Sequence, residues 1–198
     1  MMITEIRPVN QKKSRVYIDE EFAFILYKSE IRRYRLEENE EITEADYTEI
    51  LQEVLLKRGK ARALHLLSSM DRTEGQLKNK LKEGGYPQEV IEQILDYVRN
   101  YHYVDDSRYV SGYLRTKGKT KSVRQMQAEL QQKGVAAELV KEVMEQEEAV
   151  DESAAIRRWM EKKHIDPETI SKEQLWKFYQ FLLRKGFHYE DIQHELKL

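Results

Sequence analysis

The clearest chemical potential in this chain lies in bases gathered into one stretch. Residues 107–133 hold seven bases (Arg108, Arg115, Lys117, Lys119, Lys121, Arg124 and Lys133) and one acid, Glu129, a local charge of +6. Tyr109 and Tyr113 are interleaved with them. Lys and Arg contacts to phosphates, with aromatic rings nearby to stack on bases, would bind nucleic acid in a salt-dependent way. The same block could meet an acidic protein groove. The plainer alternative is a solvated face balanced by residues 134–153, which carry seven acids and one base. Charge-balancing pairs normally alternate along a helix, whereas these bases are segregated. The tyrosines, at helical spacing, fit packing positions better than stacking platforms.

Other reactive residue types give catalysis no foothold. Gly118-Lys119-Thr120 invites a phosphate-loop reading, but Gly112 stands one residue too far upstream and the segment follows a helix, not a strand. It reads as a turn in a basic surface. His65, His102, His164, His188 and His194 never fall at metal-ligand spacing. The Asp105-Asp106 pair could be imagined as an acid–base couple or a Mg²⁺ site, yet Asp at a helix start is far more often a cap. No Cys occurs, which excludes disulfides and thiolate metal sites and suits a reducing cytosol. The expectation is a protein that is not an enzyme and uses no cofactor and no metal.

The elements that must position the basic block are helices in a repeat. Leu81 to Ile91, Leu130 to Val140 and Leu182 to Ile192 superpose almost without gaps. Each has Leu four residues before a Gly (Gly85, Gly134, Gly186), a large apolar residue after it (Tyr86, Val135, Phe187), and Glu89, Glu138 or Glu190 beyond. Leu77, Met126 and Phe178 precede the shared Leu by four residues each. The glycines are 49 and 52 residues apart, and helical units at that period bury their apolar faces on their neighbours. The fold class expected is mainly α: an elongated array of three tandem three-helix repeats behind a small N-terminal antiparallel β element. The domains are read as 1–42 for the β element with a short helix, and 43–101, 102–149 and 150–198 for the repeats.

Within the β element, residues 3–9, 15–19 and 22–27 are β-prone runs, with Val16 and Ile18 alternating with polar neighbours. Glu20-Glu21 makes a tight connection without the Gly that a two-residue hairpin prefers. A short helix through about Tyr34 follows, then an acidic loop, 36–42. Residues 37–53 contain eight acids and no base, a charge of −8, although the whole 198-residue chain carries only −2. Thr43-Glu-Ala-Asp46, Asp71-Arg-Thr-Glu74 and Ser171-Lys-Glu-Gln174 read as helix N-terminal signatures. Pro87 and Pro167 sit where a first helical turn tolerates them. No secretory apolar region opens the chain and no apolar run approaches membrane-spanning length, so the expected location is cytoplasmic.

With these turn motifs assembled, the chain resembles the RecX family of recombinase regulators. The resemblance rests on residues 63–67, on Asp71-Arg72-Thr73-Glu74 leading to Leu77 and Leu81, and on Gly85-Tyr86 and Val90-Ile91. It continues through Tyr103-Val104-Asp105-Asp106-Ser107-Arg108-Tyr109-Val110, then Arg124, Glu129, Leu130, Lys133 and Gly134-Val135. It covers residues 61–134 well, the third repeat more loosely and the strands by layout only. Asp-Asp-x-Arg-[Phe/Tyr], followed about 25 residues later by Glu-Leu-x-x-Lys-Gly, is the specific combination. At Met70-Asp71-Arg72 the chain departs from the family, which more often carries a second basic residue before its Arg.

The resemblance implies a non-enzymatic modulator, mainly an inhibitor, of the RecA recombinase. Members bind the RecA filament on single-stranded DNA, lie in its helical groove and limit its growth, which damps strand exchange and coprotease activity in DNA repair and the SOS response. The partner-binding residues expected here are Arg72, Arg108, Tyr109, Arg115, Lys117, Lys119, Lys121, Arg124 and Lys133. The protein is expected to act as a monomer, with weak direct DNA binding and no membrane partner. The alternative is a stand-alone helical DNA-binding protein, since three helices around a Gly turn resemble helix-turn-helix modules. The net charge of −2 and the acidic flanks argue for weak intrinsic affinity.

Overall fold

The computed structural model describes residues 1–147 and 151–198. The expected boundary between residues 149 and 150 lies outside them. The chain forms two compact units, Met1–Val104 and Asp105–Leu198. Most of it is helical, with one small sheet at the N-terminus. Among the described residues no helix is long and apolar enough to cross a membrane.

In the first unit, β1 (Ile3–Pro8), β2 (Lys13–Ile18) and β3 (Glu21–Tyr27) form an antiparallel sheet in that order. Val16 and Ile18 face inward with Ile3, Phe24 and Leu26, as the alternation predicts. The tight connection is Asp19-Glu20 and not Glu20-Glu21: Ile18 pairs with Glu21, and both turn residues have positive φ (49° and 69°). That conformation normally asks for Gly or Asn. Here Asp19 Oδ1 accepts the Met2 amide at 2.8 Å, and the Glu20 amide donates to Thr4 Oγ1 at 3.1 Å, so β1 holds the turn shut.

Helix α1 (Lys28–Arg33) follows the sheet. A continuous helix then runs through α2 (Glu44–Glu49), a π-helical segment (Ile50–Leu56) and α3 (Lys57–Ser69). The wider winding of the π segment keeps Ile50, Leu51 and Leu55 on one buried face. Thr43 caps this helix by accepting the Asp46 amide at 3.0 Å, but its hydroxyl donates to the Asp46 carboxylate, so the reciprocal backbone bond of a capping box is absent. Helices α4 (Glu74–Glu83) and α5 (Gln88–Asn100) complete the first repeat, whose core is continuous with the sheet.

The second unit holds α6 (Asp106–Lys117), α7 (Val123–Gln132) and α8 (Ala137–Gln146), then α9 (Glu152–Lys163), α10 (Lys172–Arg184) and α11 (Tyr189–Leu196). Each trio closes its own apolar core, around Met126 and Leu130 in one and Phe178 and Leu182 in the other.

The middle helix of each repeat starts and stops by the same chemistry. At the start Thr73, Ser122 and Ser171 accept the amides of Gln76, Gln125 and Gln174 at 3.1, 3.1 and 3.3 Å. The cap of α4 is thus Thr73 and not Asp71, because the Gln76 side chain reaches back to the Thr73 amide and closes the box. At the stop, Gly85, Gly134 and Gly186 adopt φ of 76°, 87° and 82°. Their amides donate to Lys82, Gln131 and Leu183, and the next residues donate to Leu81, Leu130 and Leu182. That is a Schellman pair repeated three times. Pro87 occupies the N-cap of α5, whereas Pro167 lies in a turn before α10 and in no helix, since Ser171 supplies that cap.

A Cβ on Gly85 would stand 2.4 Å from Ile25 Cγ1, on the strand whose Ile25 amide donates to the Gly85 carbonyl. Gly85→Ala combines that clash with left-handed strain, so a loss of about 2 kcal/mol or more is expected in urea unfolding. A loss below about 0.5 kcal/mol would show that the turn relaxes freely.

Candidate interaction surface on the second repeat

Asp105 begins this surface as a cap. Its carboxylate accepts the Arg108 amide at 2.9 Å, which starts α6 and sets Arg108 in the first turn. Arg115 and Lys117 fall in the last turn of α6, Lys119 in the connection to α7 and Arg124 in the first turn of α7. All five side chains are exposed and join no ion pair among the described residues. Gly118-Lys119-Thr120 is a turn after a helix.

The other predicted positions are placed differently. Lys121 lies inside the α6–α7 hairpin, ion-paired to the Glu129 carboxylate, which also accepts from the Tyr113 hydroxyl and from Gln125 Nε2 at 3.1 Å. Burial works against the Lys121 charge, but hydrogen bonds to Glu129 and Tyr113 outweigh it and raise the pKa of the amine. Burial likewise opposes the Glu129 carboxylate, yet Lys121 and Tyr113 hold it below its ordinary range. Burial, then the bond to Glu129, raises Tyr113. Tyr109 is half-buried against the repeat's core with its ring stacked on Tyr113, centroids 6.4 Å apart. Lys133 is half-buried at the C-cap of α7. Arg72 belongs to the first unit, where its Nε donates to the Leu66 carbonyl at 3.3 Å and closes the end of α3. Of the nine predicted residues, Arg115, Lys117, Lys119 and Arg124 flank the α6–α7 turn with Arg108 at the other end of α6, and none of the five joins an ion pair among the described residues.

The third repeat extends this surface. Trp159 Nε1 donates to the Thr120 carbonyl at 2.8 Å, setting α9 beside the turn that carries Lys119. Ser122 Oγ donates to the Lys185 carbonyl at 2.7 Å, just before Gly186. Glu152, 5% exposed, accepts the Val123 amide at 2.6 Å and the His188 amide at 2.9 Å, one carboxylate serving two helix N-termini. Arg158, Lys162, Lys163 and Lys185 thereby adjoin the basic hairpin. Sequence reasoning missed them; their clue was Arg158 and Lys162 at i, i+4 on either side of Trp159.

Fold and surface together define a class: a helical protein of tandem three-helix repeats with exposed bases on the second. The comparisons with known proteins agree on the repeats. The chain matches the family models described as the RecX first three-helix domain over residues 60–97, the second over 105–144 and the third over 151–196. It is 31% identical to the regulatory protein RecX of Caldanaerobacter subterraneus subsp. tengcongensis, covering 100% of both chains. It is 30% identical to the regulatory protein RecX of Listeria monocytogenes serovar 1/2a, covering 94% of this chain and 71% of that protein. A crystal structure of regulatory protein RecX superposes with a TM-score of 0.64 at 24% identity, covering 99% and 98% of the two chains. RecX from Lactobacillus salivarius superposes at 0.60 and 20% identity over 72% of this chain and 94% of that one; likeness at these identities shows the fold alone. The chain belongs to the RecX family.

Two measurements probe the joints of this surface. Glu152→Ala leaves two part-buried amides unpaired and is expected to cost roughly 2 kcal/mol in denaturant unfolding, with Glu152→Gln costing less. For Glu129, whose folded pKa is lowered, the stabilisation is present above the unfolded value near 4.5 and is lost as pH falls through the folded one. The stability difference between wild type and Lys121→Met is therefore expected at neutral pH and should shrink as pH falls below about 4. A difference that stays constant down to about pH 2 would remove the ion pair from the account.

Proposed function

We propose that this protein is a non-enzymatic regulator, mainly an inhibitor, of the RecA recombinase. It binds in the groove of the RecA filament on single-stranded DNA and limits filament growth. Strand exchange and coprotease activity fall as a result, in DNA repair and the SOS response. It acts in the cytoplasm, as a monomer. Membership of a family whose relatives are named regulatory proteins supports this reading. The single observation that carries it to residues is a set of five exposed cations on the α6–α7 hairpin, Arg108, Arg115, Lys117, Lys119 and Arg124, that join no ion pair among the described residues. A surface built to be neutral in isolation would pair them, as it pairs Lys121 with Glu129. Cations left unpaired at such a surface serve steering and specificity toward a partner of opposite charge.

Filament assembly tests this. RecA ATPase activity on single-stranded DNA, read with electron microscopy of the filaments, is expected to fall on adding the protein. The triple reversal Arg115→Glu, Lys119→Glu, Arg124→Glu should raise the half-inhibitory concentration at least about tenfold and flatten its salt dependence. Unchanged inhibition and salt slope would discard the hairpin. No effect of the wild-type protein on RecA would discard the regulatory reading. Tight binding to naked duplex without RecA would favour the stand-alone DNA-binding alternative.

A further inference from the structure

The third repeat arranges its cations in a way the hairpin does not. Trp159 of α9 and Phe181 of α10 meet edge to face, with ring centroids 5.3 Å apart and planes at 73°. Three ammonium groups surround the pair. Lys185 Nζ lies 4.6 Å from the Trp159 centroid and 5.1 Å from that of Phe181. Lys162 Nζ is 5.1 Å from Trp159, and Lys163 Nζ is 4.9 Å from Phe181. None of these lysines joins an ion pair among the described residues. The rings hold three like charges close together.

The surface beside these charges is concave on both sides of Lys162. One hollow of about 600 Å³ is lined by Thr120, Arg158, Trp159, Glu161 and Lys162. The other, about 650 Å³, has an apolar floor of Ile165, Ile170, Phe178 and Phe181, with Lys162, Lys163 and Lys177 on its rim. Lys177 is already paired with Glu173, so the uncompensated charge sits at the α9 side and at Lys185.

We propose that this groove docks an acidic peptide segment of a protein partner. Its carboxylates meet Lys162, Lys163 and Lys185, and an apolar side chain enters the hollow floored by Ile165, Ile170 and Phe181. Charge complementarity selects an anion, and two features select a peptide over a nucleic acid strand. The ring faces on which a base would stack are already occupied by ammonium groups, which a base must displace and a carboxylate need not. The hollow beyond them sets Ile165, Ile170, Phe178 and Phe181 beside its lysines, which suits a peptide carrying both carboxylates and an apolar side chain. Because the rings already restrain the lysines, little of their freedom remains to be lost on binding. This assignment does not rest on the RecA reading.

The test uses the full chain and three fluorescein-labelled probes in anisotropy titrations without RecA. The first is an acidic octapeptide in which Leu and Phe interrupt Glu residues, the second has Ser in place of Leu and Phe, and the third is an oligo-dT of about 12 nucleotides. The Glu/Leu/Phe peptide is expected to bind saturably, and the Glu/Ser peptide at least about tenfold more weakly. Lys162→Glu with Lys163→Glu should weaken the first probe at least about tenfold, and the neutral pair Lys162→Gln with Lys163→Gln by less. Both side chains replaced are exposed, and thermal unfolding is expected to stay unchanged. No saturable binding of the first peptide up to about 1 mM, equal binding of both peptides, or tighter oligo-dT binding abolished by the same variants would each overturn the proposal. Because no probe contains RecA, these outcomes leave the hairpin's effect on filaments to be judged separately.

Discussion

Everything in this fold hangs on one backbone conformation used three times. Between the second and third helices of each repeat the chain reverses through a residue with positive φ, a conformation glycine adopts at no steric cost. Gly85, Gly134 and Gly186 do so within 11° of one another, at φ of 76°, 87° and 82°. The hydrogen bonds on either side are the same in kind: the glycine amide to the carbonyl three residues back, the following amide to the carbonyl five back. The residue after the glycine is then forced inward, and Tyr86, Val135 and Phe187 are buried as a consequence. The turn thus sets the direction of the third helix and plugs the core with one motif.

The glycine turns also receive the contacts that join elements distant in sequence. Ile25 of the sheet donates to the Gly85 carbonyl, and Ser122 reaches the carbonyl just before Gly186. A Cβ at Gly186 would stand 3.1 Å from the Ser122 hydroxyl and 3.4 Å from the Arg124 stem. Glycine is therefore used twice at such a position, once for φ and once for the close approach of a neighbour. Glu152 completes the joint by satisfying amides at the starts of α7 and α11 with one buried carboxylate. Burying that charge is tolerable because two backbone donors and two helix N-termini face it.

This division explains what was legible in the sequence. Gly85, Gly134 and Gly186 announce themselves because a positive-φ turn restricts residue type, and Val16 with Ile18 does so because a half-buried strand alternates. The tight turn falls at Asp19-Glu20, one residue before the Glu20-Glu21 that local pattern suggests, because it is held by Met2 and by Thr4 of β1, which no local rule contains. At α4 the sequence offers two overlapping boxes, Asp71 to Glu74 and Thr73 to Gln76, and only the fold selects Thr73, the same Thr or Ser to Gln spacing that recurs in all three repeats. Lys121 looked like its basic neighbours until the hairpin brought Glu129 and Tyr113 to it. The cluster around Trp159 and Phe181 draws on α9, α10 and the turn after α10. Its members are scattered over 27 positions and share no period.

Fold and surface are specified by different residues, so the repeats can share one and differ in the other. The turn and the core use Gly, Leu and a plug residue at fixed offsets and leave the outward faces unconstrained. On the second repeat those faces carry Arg108, Arg115, Lys117, Lys119 and Arg124, none ion-paired among the described residues, a state that persists in water because exposed, hydrated cations cost little. On the third repeat the cations are instead gathered over aromatic rings, where the quadrupole offsets their mutual repulsion and restrains their side chains. The first kind of surface attracts at a distance and discriminates poorly. The second sits beside a hollow that joins lysines to apolar side chains and can discriminate by shape. A chain that carries both within one compact unit can bring a charged partner close with one and engage a defined segment with the other.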